Sequence, residues 1–101
     1  MPSKADLPSS KKLIWPVIQV LKRTIEPTRK SVIDNQLIEI LGLSHELTSI
    51  PHDKSRAEYQ YRSAWALSYG KKAGYFENST RNHWVLTDKG RQVGSEVEVS
   101  L

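Results

Sequence analysis

Ser55–Thr87 reads SRAEYQYRSAWALSYGKKAGYFENSTRNHWVLT, and the fold turns on how this stretch divides. Ser55, with Glu58 three residues later, has the spacing of a capping box, in which each side chain accepts from the other residue's backbone N–H. A helix opening at Ser55 then runs through Tyr61, Trp65, Leu67, Tyr69 and Ala73 until Gly74 ends it. Tyr75-Phe76-Glu77 and His83-Trp84-Val85-Leu86 are short strand-like runs on either side of Asn78-Ser79-Thr80-Arg81-Asn82. Those polar turn formers between two apolar runs predict a β-hairpin.

Working outward toward the N-terminus, Ile50 to Lys54 is a polar loop, and Ser44 starts a short turn of helix through His45, Glu46 and Leu47. A helix from about Lys30 to Leu41 carries the apolar stripe Val32, Ile33, Leu37, Ile38 and Leu41, with Gly42 placed as its C′ residue. Before it, Leu13, Ile14, Val17, Ile18, Leu21 and Ile25 recur at helical spacing behind the candidate N-caps Ser9 and Ser10. Pro16 is expected to kink that helix or delay its start, and Pro27 to break it. Toward the C-terminus, Thr87-Asp88 caps a last short helical piece interrupted by Gly90.

Three helices followed by a hairpin is the element order of a winged helix. The expected fold is therefore α+β and mostly helical: a three-helix helix-turn-helix core plus a β-hairpin wing. Residues 1–9 are read as a flexible arm, 10–92 as the domain, and 93–101 as a tail or the start of a linker. In such a fold the third helix lies in the DNA major groove and the wing reaches the adjacent backbone.

The chain has 101 residues, one domain's worth. Fifteen Lys and Arg against 11 Asp and Glu give a net charge of +4, and the isoelectric point is near 9.5. That balance is a footprint of nucleic-acid binding, although a solvated basic surface has the same sum. The absence of cysteine excludes a disulfide framework and a thiolate zinc site. His45, His52 and His83 lack metal-ligand spacing, and no glycine-rich phosphate loop or nucleophile elbow occurs. Glu96 and Glu98 lack the Asp and Lys company of a catalytic magnesium site. No catalytic residue, metal or cofactor is expected. No segment is apolar enough to span a bilayer, and residues 1–10 lack the apolar run of a secretory signal. The expected location is cytoplasmic, bacterial-type and nucleoid-associated.

Lys54, Ser55, Arg56, Gln60 and Arg62 lie in or just before the first turns of the third helix. They are donors that reach phosphates, and Arg or Gln also pairs bidentately with guanine or adenine edges. Arg56 and Arg62 can equally pair with Asp53 or Glu58, and Arg62 in particular can anchor the fold. Thr80, Arg81 and Asn82 at the hairpin tip, with Ser79 and His83 beside them, are the wing's candidates. Lys71 and Lys72 suit a helix C-terminal dipole, while Lys4, Lys11 and Lys12 add nonspecific backbone contacts. Trp15, Trp65 and Trp84 are able to stack on bases, but on three separate elements they are expected to fill the core or its rim.

Arg62-Ser63-Ala64-Trp65-Ala66, Lys71-Lys72-Ala73-Gly74, then Trp84-Val85-Leu86-Thr87 and Gly90 resemble the N-terminal domain of the Mrr-like restriction endonucleases. Pro16-Val17 and Leu41-Gly42-Leu43-Ser44 extend the resemblance, which covers about Leu13 to Gly90. Two positions depart from the pattern: Tyr61 stands where Asn is frequent, and Gly70 where a core Leu is usual. The missing bulk at Gly70 must come from Leu67, Tyr69 or a neighbouring aromatic. The resemblance implies a winged helix that binds double-stranded DNA and delivers a C-terminal nuclease domain to modified DNA. A module of this size binds modestly alone, so a tethered domain or a homodimer is expected. Two other readings stay open: a protein-interaction or dimerisation module, with Val97-Glu98-Val99-Ser100-Leu101 adding to a partner's sheet edge, and a stand-alone transcription regulator.

Overall fold

Residues 2–101 are described by the computed structural model; Met1, at the head of the expected arm, lies outside them. The first helix, α1 (Ile14–Leu21), starts later than its apolar spacing implies. Residues 10–13 form a turn in which Ser9 Oγ accepts from the Lys12 N–H at 3.3 Å. Pro16 then falls on the third helical position, where its missing N–H has no intrahelical partner to lose. The helix also closes early, Arg23 N–H turning back to Val20 O at 3.1 Å. Ile25, expected on the apolar face, is therefore 81% exposed. Ile14, Pro16, Val17, Ile18, Val20 and Leu21 are all buried, so α1 is wrapped nearly all round by the other elements.

Past Pro27 comes β1 (Thr28–Arg29), a two-residue strand with no counterpart among the elements expected from the sequence. The next helix, α2 (Lys30–Leu41), has the expected bounds. Gly42 at φ +63° closes it, with Leu43 N–H on Ile38 O at 3.0 Å and Gly42 N–H on Glu39 O at 3.3 Å. That bond pair is a Schellman motif. The buried seam of α2 is Ile33, Asp34 and Leu37; Val32, one step round the helix, faces solvent instead of the core. The one-turn α3 (His45–Thr48) is capped by Ser44, whose Oγ accepts from Leu47 N–H at 3.2 Å.

A second Schellman motif closes α4 (Glu58–Lys72): Tyr75 N–H reaches Gly70 O at 2.9 Å and Gly74 N–H reaches Lys71 O at 3.0 Å, with Gly74 at φ +92°. The chain turns at once into β2 (Phe76–Thr80), which pairs antiparallel with β3 (His83–Leu86). The strand order is β1-β3-β2, with Thr28 opposite Trp84 and Phe76 opposite Leu86. Asn78, Ser79 and Thr80, expected in the turn, belong to β2, whose register slips between Glu77 and Thr80. Asn78 Nδ2 spans that slip by donating to Thr80 O at 2.8 Å and His83 O at 2.9 Å. The turn proper is Arg81-Asn82, with Asn82 at φ +62°, a conformation Asn tolerates better than most residues.

The last helix, α5 (Asp88–Gln92), contains Gly90 instead of being interrupted by it. A β-carbon at Gly90 would lie 2.3 Å from Tyr75 O, so the glycine lets α5 rest directly on the chain between α4 and β2. Residues 93–101, read as a tail, fold back on the body. Val93 is buried, and the Tyr75 hydroxyl donates to Ser100 O at 3.0 Å while accepting from Ser100 N–H at 2.7 Å. Val97 to Leu101 form no strand; Glu96–Glu98 is a 3-10 turn. The expected arm is likewise docked, through a 3-10 turn at Lys4–Asp6 and the buried Leu7. The whole is α+β, roughly half helical, with one small antiparallel sheet.

Candidate nucleic-acid interface

Asp53 decides where α4 begins. Its Oδ1 accepts from Ser55 N–H at 2.8 Å, Ser55 Oγ at 3.0 Å and Arg56 N–H at 2.9 Å. Ser55 is thereby engaged in a turn and does not cap the helix, and the expected Ser55–Glu58 box does not form. The N-cap is Ala57, whose N–H donates to Gln60 Oε1 at 3.1 Å. The Ser55 N–H and hydroxyl, joined by the N–H and charge of Arg56, hold the Asp53 carboxyl down at about 2. His52 N–H to Arg56 O at 2.9 Å and Glu58 N–H to Ile50 O at 2.8 Å close the loop. Arg56 is left exposed at its lip, 3.6 Å from Asp53 Oδ2 and with its guanidinium 5.3 Å above the Tyr61 ring.

Glu58 takes a different role from the one its spacing suggests. It is buried, and its carboxylate receives Arg62 Nε at 2.8 Å and His52 Nδ1 at 3.0 Å, with Lys4 Nζ at 3.5 Å. Burial alone would push the Glu58 carboxyl up; the Arg62 and His52 hydrogen bonds and the Arg62 and Lys4 charges outweigh it and hold the group below its usual range. Arg62 also donates through one terminal nitrogen to Leu7 O at 2.9 Å and Pro8 O at 3.2 Å. Arg62, expected as a DNA donor, is thus an internal clamp between α4 and the N-terminal segment.

An open cleft of about 510 Å³ lies between the first turn of α2, the start of α4 and the tip of the hairpin. Arg56 and Gln60 of the α4 start and Arg81 and Asn82 of the hairpin turn line it, together with Arg29, Lys30, Ser31, Asp34 and His83. Pairing of Arg29 opposite His83 brings the cation of β1 beside the turn, and Lys30 N–H donates to Asn82 O at 2.9 Å. Lys30 is neutralised in place. Its ammonium sits 2.7 Å from Asp34 Oδ2 and donates to Gln60 O at 3.2 Å, tying α2 to α4. Burial pushes the Asp34 carboxyl up, against the lowering charge and hydrogen bond of Lys30. Among the described residues Arg29 and Arg81 form no ion pair, and both are exposed. The cleft is consequently a cationic channel with amide donors on both walls.

Of the eight residues read from the sequence as DNA contacts, the cleft unites Arg56, Gln60, Arg81 and Asn82. Lys54, Ser55 and Thr80 are exposed but line no part of it. His83, named from the sequence beside the wing's candidates, lines it as well, whereas Arg29 joins it unforeseen, since the two-residue β1 that sets it there is too short to leave a periodic signal. The tryptophans divide too. Trp15 and Trp84 are half-buried against the core, whereas Trp65 is 44% exposed on the outer face of α4 and not a core residue.

Residues 11–96 match the family model of the Mrr N-terminal domain. The chain belongs to this family. Membership marks it as a restriction-system-related domain. No curated protein and no solved structure matches the chain. Both departures from the Mrr N-terminal pattern now have a structural account. At Gly70 the Phe76 ring occupies the space, its Cε2 only 2.2 Å from where a β-carbon would stand. Tyr61, instead of offering an amide, stacks on His52 with centroids 3.5 Å apart and planes 11° from parallel. Among the described residues of this Mrr N-terminal domain, no helix is long and apolar enough to cross a membrane, and no His, Cys, Asp and Glu group suits a metal ion.

Proposed function

We propose that this Mrr N-terminal domain is a winged helix that binds duplex DNA through the Arg29–Arg56–Arg81 cleft. The start of α4 enters the major groove, and the β2–β3 hairpin lies along the flanking backbone. One observation carries the reading: cations from β1, the loop before α4 and the hairpin turn converge on one open channel with Gln60 and Asn82. A basic surface that merely keeps a protein soluble has no need of such convergence. The arginines neutralise phosphates, and Gln60, at the third helical position of α4 with its Oε1 accepting from Ala57 N–H, has its amide N–H2 to offer a base-edge acceptor such as adenine N7. In its restriction system the domain delivers a nuclease domain to DNA and contributes no catalytic residue of its own.

Titration of a fluorescent 20-base-pair duplex at several salt concentrations tests this. Affinity should fall linearly with salt on a log–log plot. Arg56→Ala with Arg81→Ala should lower both affinity and slope, by about 0.9 in slope for each phosphate that is no longer neutralised. Salt-independent binding, or a double variant that binds like the parent, would refute the proposal.

A further inference from the structure

Trp65 is the feature that the cleft does not use. It is 44% exposed, on a short chain that buries its other large rings wholly or in part. Leaving so much indole in water forgoes burial free energy, and with the partly exposed Tyr61 and Tyr69 on either side the ring belongs to a contiguous aromatic patch, the kind that marks a contact surface. The ring is held from both sides along α4. Tyr61, one turn before it, meets it edge-on with centroids 6.5 Å apart and planes at 76°. Tyr69, one turn after it, lies tilted by 31° at 5.6 Å. Tyr61 is itself fixed by its stack on His52, whose Nδ1 is bonded to Glu58. The indole is therefore presented in one orientation before any partner arrives.

The surroundings specify the partner's chemistry. A shallow depression of about 280 Å³ beside the ring is lined by Arg56, Tyr61, Ala64, Trp65 and Ser68, the two small residues leaving room along one side of the indole. Farther along, Lys11 and Lys72 flank Tyr69, with Lys11 Nζ 6.0 Å above its ring. The charged side chains that line the two depressions, Arg56, Lys11 and Lys72, are cationic, with Asp53 3.6 Å from Arg56 as the nearest carboxylate to that arginine. Aromatic rings bounded by cations are the pattern that binds unstacked nucleotides, base on ring and phosphate on charge. Arg56 lines this depression as well as the cleft, so the two surfaces are continuous. A paired base in a duplex has both faces covered by its neighbours; an unpaired one has a face free for an indole.

We infer that Trp65 is a stacking site for an unpaired DNA base, extruded from the duplex or in a single strand, whose phosphate meets Arg56. The inference rests on the DNA-binding reading above and adds a second kind of DNA contact to it. The test compares a matched 20-base-pair duplex with the same duplex carrying one central bulged thymine, by fluorescence anisotropy on the full chain. The native chain should bind the bulged duplex about tenfold more tightly, the size of one base–aromatic stack. Trp65→Ala should bind both alike, with an unchanged circular dichroism spectrum, and Trp65→Phe should keep most of the preference. Arg81→Ala should weaken both complexes by one factor and preserve their ratio. Equal binding of the two DNAs by the native chain, or a preference that survives Trp65→Ala, overturns the inference and leaves the cleft reading standing. No DNA binding at all overturns both. Sedimentation showing self-association that Trp65→Ala abolishes, with no bulge preference, assigns the face to a second copy and overturns it as well.

Discussion

The Phe76 ring lies on the bare backbone of Gly70, so close that a β-carbon there would sit 2.2 Å from Cε2 and 2.4 Å from Cδ2. Two effects oppose each other in Gly70→Ala. Helix propensity favours alanine by about 1 kcal/mol, while overpacking a core position costs about 1–3 kcal/mol. The aromatic ring is 1% exposed and can yield only by displacing its core neighbours, so the clash should win by about 1 kcal/mol. In a Phe76→Leu background the same change should be neutral or stabilising. Urea denaturation of the four chains of that cycle measures the coupling.

Gly90→Ala should cost more, about 2–3 kcal/mol. Its β-carbon would meet Tyr75 O at 2.3 Å and Leu86 Cδ2 at 2.9 Å, and a backbone oxygen yields less readily than a side chain. The check is a fall in the urea midpoint larger than that of Gly70→Ala.

Arg62→Ala should destabilise the fold by about 2–3 kcal/mol, because it leaves the buried Glu58 carboxylate short of its closest cation. It also frees the Leu7 and Pro8 carbonyls. DNA affinity of the remaining folded fraction, measured well below the melting temperature, should be unchanged. A stable variant with weakened binding would return Arg62 to the interface.

Arg29 and Lys54 make a paired comparison. Both are exposed cations, but Arg29 lines the cleft and Lys54 does not. Arg29→Ala is expected to lower the salt slope of duplex binding by about 0.9, and Lys54→Ala to leave it close to native. The reverse order would place the DNA on the loop before α4 instead of in the cleft.

The turn that starts α4 should be acid-sensitive. Asp53 is held at about 2 by the Ser55 and Arg56 donors, below the ordinary value of 3.8. A carboxyl whose folded value is depressed adds stability that is fully present above the unfolded value and lost as pH falls through the folded one. The Asp53 contribution should therefore be intact at pH 5 and disappear between about pH 4 and pH 2. A side-chain NMR titration should show Asp53 still ionised at pH 3. Asp53→Asn should flatten that part of the stability profile.

The fold was legible in the sequence wherever local chemistry and tertiary packing agree. Gly42 and Gly74 end their helices as expected, since a left-handed residue at a helix end is a local requirement. Ser55 misleads because a competing acceptor, Asp53, lies two residues away, and spacing alone does not say which partner a hydroxyl takes. Arg62 and Lys30 carry the same charge as Arg81, yet buried carboxylates from neighbouring turns claim both of them. Gly70 is opaque for another reason: its cause is the ring of Phe76, six residues later, across a turn. The four cleft residues foreseen lie on two segments the sequence locates to within a few residues, the α4 start and the hairpin turn; Arg29 depends on a strand pairing that only the assembled sheet reveals.

Only Ala73, Gly74 and Tyr75 join α4 to β2, and the Schellman bonds, the packing of Phe76 on Gly70 and Lys30 N–H on Asn82 O fasten the joint on both sides. Helix and hairpin are thereby set as the fixed jaws of a caliper. Under the proposed function, a duplex seated between them would have to match the gauge or bend to it, and sequences whose grooves deform at low cost should gain affinity at base pairs no side chain touches.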